Sequence, residues 1–316
     1  MNATAPLPRS AVIREVGLRD GLQAIARTLP TEQKKQWLRG AHAAGQREIE
    51  VGSFVPAKYL PQLADTAELV AFAKTLPGLF VSVLVPNLRG AEAAIDSGAD
   101  LMLVPLSASH AHSLANLRKT PDEVLREIEA IRAARDAAGS ACRLEVGLST
   151  AFGCTIQGRV DPAEVLRLVR ALVDLGVERI GLADTVGYAD PAQVAALFTQ
   201  AIEVAGEPGE GRLACGHFHD TRGLGLANVY AAWSVGVRRF DACVGGIGGC
   251  PHAPGASGNV ATEDVAYLFA SMGQPTGLDF ERLMALRGQI AVWLEGEPLH
   301  GSIWRAGLPK TLRVAA

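Results

Sequence analysis

Along the chain one alternation recurs: a short apolar or β-branched run, a polar or glycine turn, then a longer stretch with apolar residues at helical spacing. Val12-Ile13-Arg14-Glu15-Val16 is the first strand candidate, and Pro30-Thr31-Glu32 opens a helix to about Ala44, with Thr31 or a neighbour able to cap it and Gly45 to stop it. Glu48-Ile49-Glu50-Val51 is the second strand, followed by a helix over 62–74. Phe80 to Val85 is the third, with a helix over 89–96, and Leu101 to Val104 is the fourth. Thr120-Pro121-Asp122-Glu123 then opens a helix with a cap, a proline at the first helical position and acids in the first turn. Leu144 to Leu148 is the fifth strand, and Asp161-Pro162 starts a helix that ends near Gly176. Arg179 to Ala183 is the sixth, after which Asp190-Pro191 repeats the cap-then-proline device. Leu213 to His217 is the seventh, with a helix over 223–235; Arg239 to Val244 is the eighth, and Thr262-Glu263-Asp264 opens the last helix of the series.

Eight strand-helix units are the number that closes a (β/α)8 barrel. The expected fold class is therefore α/β: a TIM barrel over 11–277, preceded by a disordered tail, 1–10, and followed by a short C-terminal helical extension, 278–316, packed on the barrel. An open doubly wound sheet is the competitor, and no G-x-G-x-x-G follows the first strand to support it.

Composition narrows the partners more than the fold. Of 316 residues, 48% are hydrophobic and 20% charged, enough for a sizeable core. With 30 basic and 33 acidic residues and a net charge of -3, nothing favours nucleic acid or an anionic membrane surface, so a small-molecule partner is expected. There is no run of eighteen apolar residues and no apolar leader in Met1 to Ser10. The cysteines (Cys142, Cys154, Cys215, Cys243 and Cys250) are odd in number and form no C-x-x-C pair, which argues against a disulfide framework or zinc knuckle and for a cytoplasmic, reduced protein.

In a barrel of this type chemistry gathers at the C-terminal strand ends. Arg19 and Asp20, Glu50, Asn87, Ser107 to His112, Asp184, His217, His219, Cys250 and Asn259 all fall in or after successive strands and so converge on one rim. His217 and His219 are two apart at a strand end and point to the same face. Two imidazoles so placed suit a divalent metal, with Asp20 and Asn259 as the natural oxygen donors. Two oxygen ligands favour Mg²⁺ or Mn²⁺, while the imidazoles leave room for zinc or cobalt. The competing reading of H-x-H is a chance pair in a polar turn. Arg19-Asp20-Gly21-Leu22-Gln23 brings a guanidinium, a carboxylate and an amide into the first loop; its bland reading is a surface ion pair of little worth. Cys250 lies in the run Gly245-Gly246-Ile247-Gly248-Gly249-Cys250-Pro251, where a thiol could act as acid or nucleophile. Cys142, Cys215 and Cys243 read as small buried residues, and His110 and His112 as rim residues that shape a pocket.

Taken together, Arg19 to Gln23, Ile49-Glu50-Val51-Gly52-Ser53-Phe54-Val55, His217-Phe218-His219-Asp220-Thr221, and Gly248-Gly249-Cys250-Pro251 through Gly258-Asn259-Val260-Ala261-Thr262-Glu263-Asp264 resemble the 3-hydroxy-3-methylglutaryl-CoA lyase family, in order and spacing, from about Val12 to Gly273. The resemblance implies a metal held by Asp20, His217, His219 and Asn259, and a retro-Claisen cleavage of an acyl-CoA to acetyl-CoA and a 3-oxo acid. It implies Arg19 as stabiliser of the enolate, with Gln23 and Asp184 beside the substrate and Cys250 protonating or shielding the enolate as its loop closes. The base is left open among Asp20, His217 and a water on the metal, with Glu50 as a supporting carboxylate. A homodimer and a place in leucine degradation are further implications.

The chain departs from the family pattern at the substrate. In strand five, Glu145-Val146-Gly147-Leu148-Ser149 stands where an Arg-Gly-Tyr-Val-Ser phrase is usual, losing a cation and a phenol; Thr155-Ile156 replaces Pro-Tyr after Cys154, and Ser107-Ala108-Ser109-His110-Ala111-His112 replaces an acid-containing phrase. These changes bear on the acyl group accepted. The alternatives are a condensing enzyme or pyruvate-type aldolase of the same superfamily, or a non-catalytic barrel that binds acyl-CoA or metal.

Overall fold

The computed structural model describes residues 11–206, 212–249, 258–274 and 276–312. Eight parallel strands close into one barrel in sequence order: β1 (Val12–Glu15), β2 (Glu48–Ser53), β3 (Phe80–Leu84), β4 (Leu101–Ser107), β5 (Arg143–Ser149), β6 (Arg179–Asp184), β7 (Leu213–Phe218) and β8 (Arg239–Ala242). The helices around it are α1 (Thr31–Ala43), α2 (Thr66–Ala73), α3 (Leu88–Ser97), α4 (His110–Leu117), α5 (Pro121–Ala137), α6 (Pro162–Asp174), α7 (Pro191–Ala205), α8 (Gly225–Ser234), α9 (Thr262–Ser271), α10 (Phe280–Trp293) and α11 (Ile303–Ala306). Among the described residues no helix is long and apolar enough to cross a membrane.

The strands alternate because their two faces meet different surroundings. Ile49, Val51, Val81, Val83, Leu144 and Val146 are fully buried in the apolar core, where each contributes about 1.5–3 kcal/mol by leaving water. The intervening positions point into the barrel, and there ion pairs replace the usual branched layers. Arg239 and Arg179 meet Glu48 near the N-terminal end; Arg14 meets Glu145 and Asp241 in the middle; Arg19 meets Glu50 and Asp20 at the C-terminal end.

Several expected local devices are present. Thr120 and Glu123 form a reciprocal capping box, and Asp161 and Asp190 accept from the amides of Ala163 and Gln193. Others differ. Pro30 occupies the N-cap of α1 with no side-chain bond, and Thr31 is its first helical residue. The stretch after Arg19 is no plain loop but a π-helical turn, Gly17–Gly21, in which the amides of Asp20 and Gly21 both reach back to Val16 O. Such turns have no hydrogen-bond signature in a one-dimensional pattern, and they recur at functional sites. Strand four runs on to include Ser107, expected just after it, and His110 and His112, expected as rim residues after the strand, lie in helix α4 capped by Ser109. Helix α10 lies directly on α1: Asp279 N donates to Ala44 O, and Leu286 abuts Gly40.

Candidate active site

Four backbone features carry the expected chemistry to one place. The π turn directs Arg19 and its neighbour Asp20 together into the barrel mouth, both buried. Strand β2 supplies Glu50 from below, and Arg19 Nε donates to Glu50 Oε2 at 2.7 Å while its Nη1 pairs with Asp20 Oδ1. Strand β7 ends with His217 and Phe218, and His219 follows as a bridge to Asn259. That bridge exists because the segment returning from the glycine run, 258–261, lies between the ends of β7 and β8: Asp220 N donates to Gly258 O, Val260 N to Phe218 O and Cys243 N to Val260 O.

The result is a compact donor cluster of Asp20, His217 and His219, with ligand atoms within 4.8 Å of one another. The Nε2 atoms of the two imidazoles face each other at 3.2 Å, and both lie about 4 Å from Asp20 Oδ2 (4.0 and 3.9 Å). Asn259 donates Nδ2 to Asp20 Oδ2 at 2.7 Å and to Ile247 O at 3.2 Å, while its buried Oδ1 has no hydrogen-bond partner among the described residues. Converging lone pairs and an orphaned amide oxygen are costly when left alone. A divalent cation would satisfy them, and the mixed nitrogen and oxygen set fits Mg²⁺, Mn²⁺, Zn²⁺ or Co²⁺ chemistry.

Protonation favours the same use. Burial opposes ionisation of Asp20, but Arg19, His217 and His219 outweigh it and hold the carboxyl below its ordinary range. Burial and the neighbouring His217 push His219 down to about 4, so at neutral pH its ring is uncharged with a lone pair to offer. His217 is pulled down by burial but raised on balance by its hydrogen bond to Asp241 and by the charges of Asp20 and Asp241. Asp241 Oδ2 lies 3.0 Å from His217 Nδ1, which fixes the ring so that Nε2 faces the cluster. Asp241 is itself held by Arg14, whose Nε and Nη2 donate to it at 2.7 and 3.1 Å.

The cluster opens onto a cavity of about 650 Å³. Arg19, Asp20, Gln23, His217, His219 and Gly249 line one end of it. Gln23 also donates to Asp20 Oδ1 at 3.1 Å. Asp184 does not join this wall. Its carboxylate accepts from Tyr188 N and Ala189 N, shaping the turn after β6, and burial lifts it to about 6. Asn87 likewise serves its own helix, capping α3 through Gly90 N. His112 lines the cavity with its Nδ1 2.6 Å from Ser107 Oγ, whereas His110 borders a separate surface hollow with Asp122 and Arg167. Cys250 lies outside the described residues; its predecessor Gly249 reaches the cavity.

The glycine run has a steric reason at its start. Gly248 has φ +122°, and a Cβ there would sit 2.5 Å from Asn259 Nδ2 and 3.3 Å from Asp20 Oδ2. Only a residue without a side chain lets this backbone pass over the cluster. Two site residues were not found by sequence reasoning: Arg14 and Asp241. Each sits in a strand with an inward period-2 position, the one signal that could have found them, but nothing local says that they meet.

A family model described as HMGL-like matches residues 11–290. The chain is 38% identical over 297 residues to hydroxymethylglutaryl-CoA lyase YngG of Bacillus subtilis, covering 93% of this chain and 96% of that protein. It is 40% identical over 279 residues to the 3-hydroxy-3-isohexenylglutaryl-CoA/hydroxy-methylglutaryl-CoA lyase of Pseudomonas aeruginosa, covering 88% and 91%. In structure it is similar to an HMG-CoA lyase from Acinetobacter baumannii in complex with coenzyme A and 3-methylmalate, with a TM-score of 0.88, 36% identity and coverage of 99% and 100%.

Proposed function

The chain belongs to the HMGL-like family, and from that premise we propose that it is a carbon-carbon lyase that cleaves 3-hydroxy-3-methylglutaryl-CoA to acetyl-CoA and acetoacetate. The observation that carries the reading is the cluster of Asp20, His217 and His219 at one end of a deep cavity, with the buried Arg19 guanidinium against it.

Asp20, His217, His219 and Asn259 would hold a divalent cation, Mg²⁺ or Mn²⁺, which supplies Lewis-acid polarisation of the substrate's hydroxyl and carboxylate oxygens. The 3-hydroxyl proton passes to one of two groups at this end of the cavity, Asp20 or His217; Asp241 at His217 Nδ1 stabilises a positive ring. As that proton leaves, C3 becomes the ketone carbon of acetoacetate, the C2–C3 bond breaks, and its electron pair becomes the enolate of acetyl-CoA. Arg19 keeps its charge at every working pH, and Glu50 and Asp20 clamp it, so it stabilises the enolate oxygen without reorganising. The Cys250 thiol, one residue beyond Gly249, gives its proton to C2 and completes the thioester product. Gln23 helps to orient Asp20.

A homodimer and a cytoplasmic location belong to the same proposal. Purified protein is mixed with 3-hydroxy-3-methylglutaryl-CoA and Mg²⁺ or Mn²⁺, with and without a chelator, and acetyl-CoA and acetoacetate are followed. Cleavage that the chelator stops is expected. Absence of both products with metal present would sink the lyase reading, and cleavage indifferent to the chelator would sink the metal assignment.

A further inference from the structure

Opposite the donor cluster the cavity changes character. Beyond Glu145, its lining on β3 to β5 includes Leu84, Leu103, Pro105 and Gly147, none of which carries a charge. Its floor is charged but closed on itself. Arg14 donates Nη1 and Nη2 to Glu145 at 3.1 and 2.7 Å, and Nε and Nη2 to Asp241. Among the described residues no unpaired cation is left on that floor to receive a second anionic group.

Gly147 is the anomaly in this wall. A glycine inside a strand weakens it and has nothing to pack, so it calls for a reason. The backbone supplies none: Gly147 is not among the glycines with positive φ. Crowding supplies none either, since an added Cβ would meet only Leu103 Cδ2, at an ordinary 3.7 Å. Gly181, on the next strand, differs in this respect, because its Cβ would press on Cys215 Cβ at 3.3 Å and Cys215 O at 3.4 Å. What the missing side chain at 147 leaves is open space inside the cavity, walled by apolar groups.

We propose that Gly147 opens an apolar subsite between β4 and β6 that receives the substituent on C3 of the substrate, so that the protein acts on 3-hydroxyglutaryl-CoA derivatives whose C3 bears an uncharged hydrocarbon chain longer than methyl. This rests on the lyase reading and names the substrate class within it. Leu103, whose Cδ2 lies nearest the space at Gly147, faces the chain together with Leu84 and Pro105, and the paired floor bars a chain that ends in a carboxylate. Each methylene buried there favours the longer substrate by about fourfold.

The test is a series of 3-hydroxyglutaryl-CoA thioesters carrying methyl, propyl or pentyl at C3, with kcat/KM measured for each on the metal-loaded enzyme. In the wild-type protein the pentyl compound is expected to exceed the methyl compound by more than tenfold. Gly147→Leu, which fills the space, is expected to lower the pentyl-to-methyl ratio at least thirtyfold, and Gly147→Ala to lower it less. A wild-type ratio at or below one, or a ratio unmoved in a folded Gly147→Leu protein, overturns the subsite while leaving the lyase reading intact. Failure to cleave any member, methyl included, overturns the lyase reading and the subsite with it. Should Gly147→Leu not fold, the wild-type series and Gly147→Ala decide.

Discussion

Replacing Asp241 by asparagine keeps the shape of the side chain and removes one charge from the barrel floor. Arg14 loses an ion pair at 2.7 Å and keeps only Glu145. Breaking one partner from a buried pair costs about 3–5 kcal/mol, and the remaining bidentate contact places this case near the lower end. His217 loses the charge that raises its pKa, and the single amide oxygen of asparagine cannot serve both Arg14 and His217 Nδ1 as the two carboxylate oxygens do, so the ring is held less firmly. Changes to the group behind a ligating imidazole cost about 10–100-fold in metal affinity, or about 1.4–2.7 kcal/mol. The pH dependence has a definite sign. Ligation needs the neutral ring, so wild-type affinity falls as pH drops through the raised pKa of His217; without Asp241 that fall moves to lower pH. Mn²⁺ titration by calorimetry at pH 6, 7 and 8, with a thermal melt to establish folding, reads both effects. Affinity within twofold of wild type at pH 8 in a folded variant would refute the claim that Asp241 orients His217.

Three further outcomes are expected. Cys250→Ala lowers kcat by a few powers of ten while Mn²⁺ binding persists; unchanged kcat would return Cys250 to a structural role. Gly248→Ala drives a Cβ into Asn259 and Asp20, so Mn²⁺ affinity falls by about tenfold or more, and an unaltered affinity would show that the loop yields instead. Burial raises the carboxyls of Glu15 and Glu263 from 4.5 to about 7, so the folded state holds their protons to higher pH than the unfolded chain. Stability contributed by each is present below pH 4.5 and is lost by about 3 kcal/mol as pH rises to 7. The melting temperature in chelator should therefore fall between pH 5 and 7.5, less steeply in Glu15→Gln, and a flat or rising profile would refute the assignment.

The strand-helix rhythm was legible because each strand separates an apolar shell from a charged interior, so phrases such as Glu48-Ile49-Glu50-Val51 declare both faces at once. Caps at Thr120, Asp161 and Asp190 were legible because they act over three residues. The phrases around Arg19, His217 and Asn259 carried the family likeness, and with it the candidate donors. What closed the site was long-range. Arg14 and Asp241 stand 227 positions apart, and only barrel closure between β1 and β8 makes them neighbours that together govern His217. The π turn that aims Arg19 and Asp20 into one mouth, and the return of Asn259 alongside His219, depend on backbone partners no local pattern reports. The same holds for strand five. The sequence determined that Glu145 and Gly147 replace a cation and a phenol, but tertiary structure decided what that means: Arg14 reaches across the barrel to neutralise the acid, and the glycine leaves a hollow. Side-chain identity is local, whereas the space around it is made by residues folded in from elsewhere.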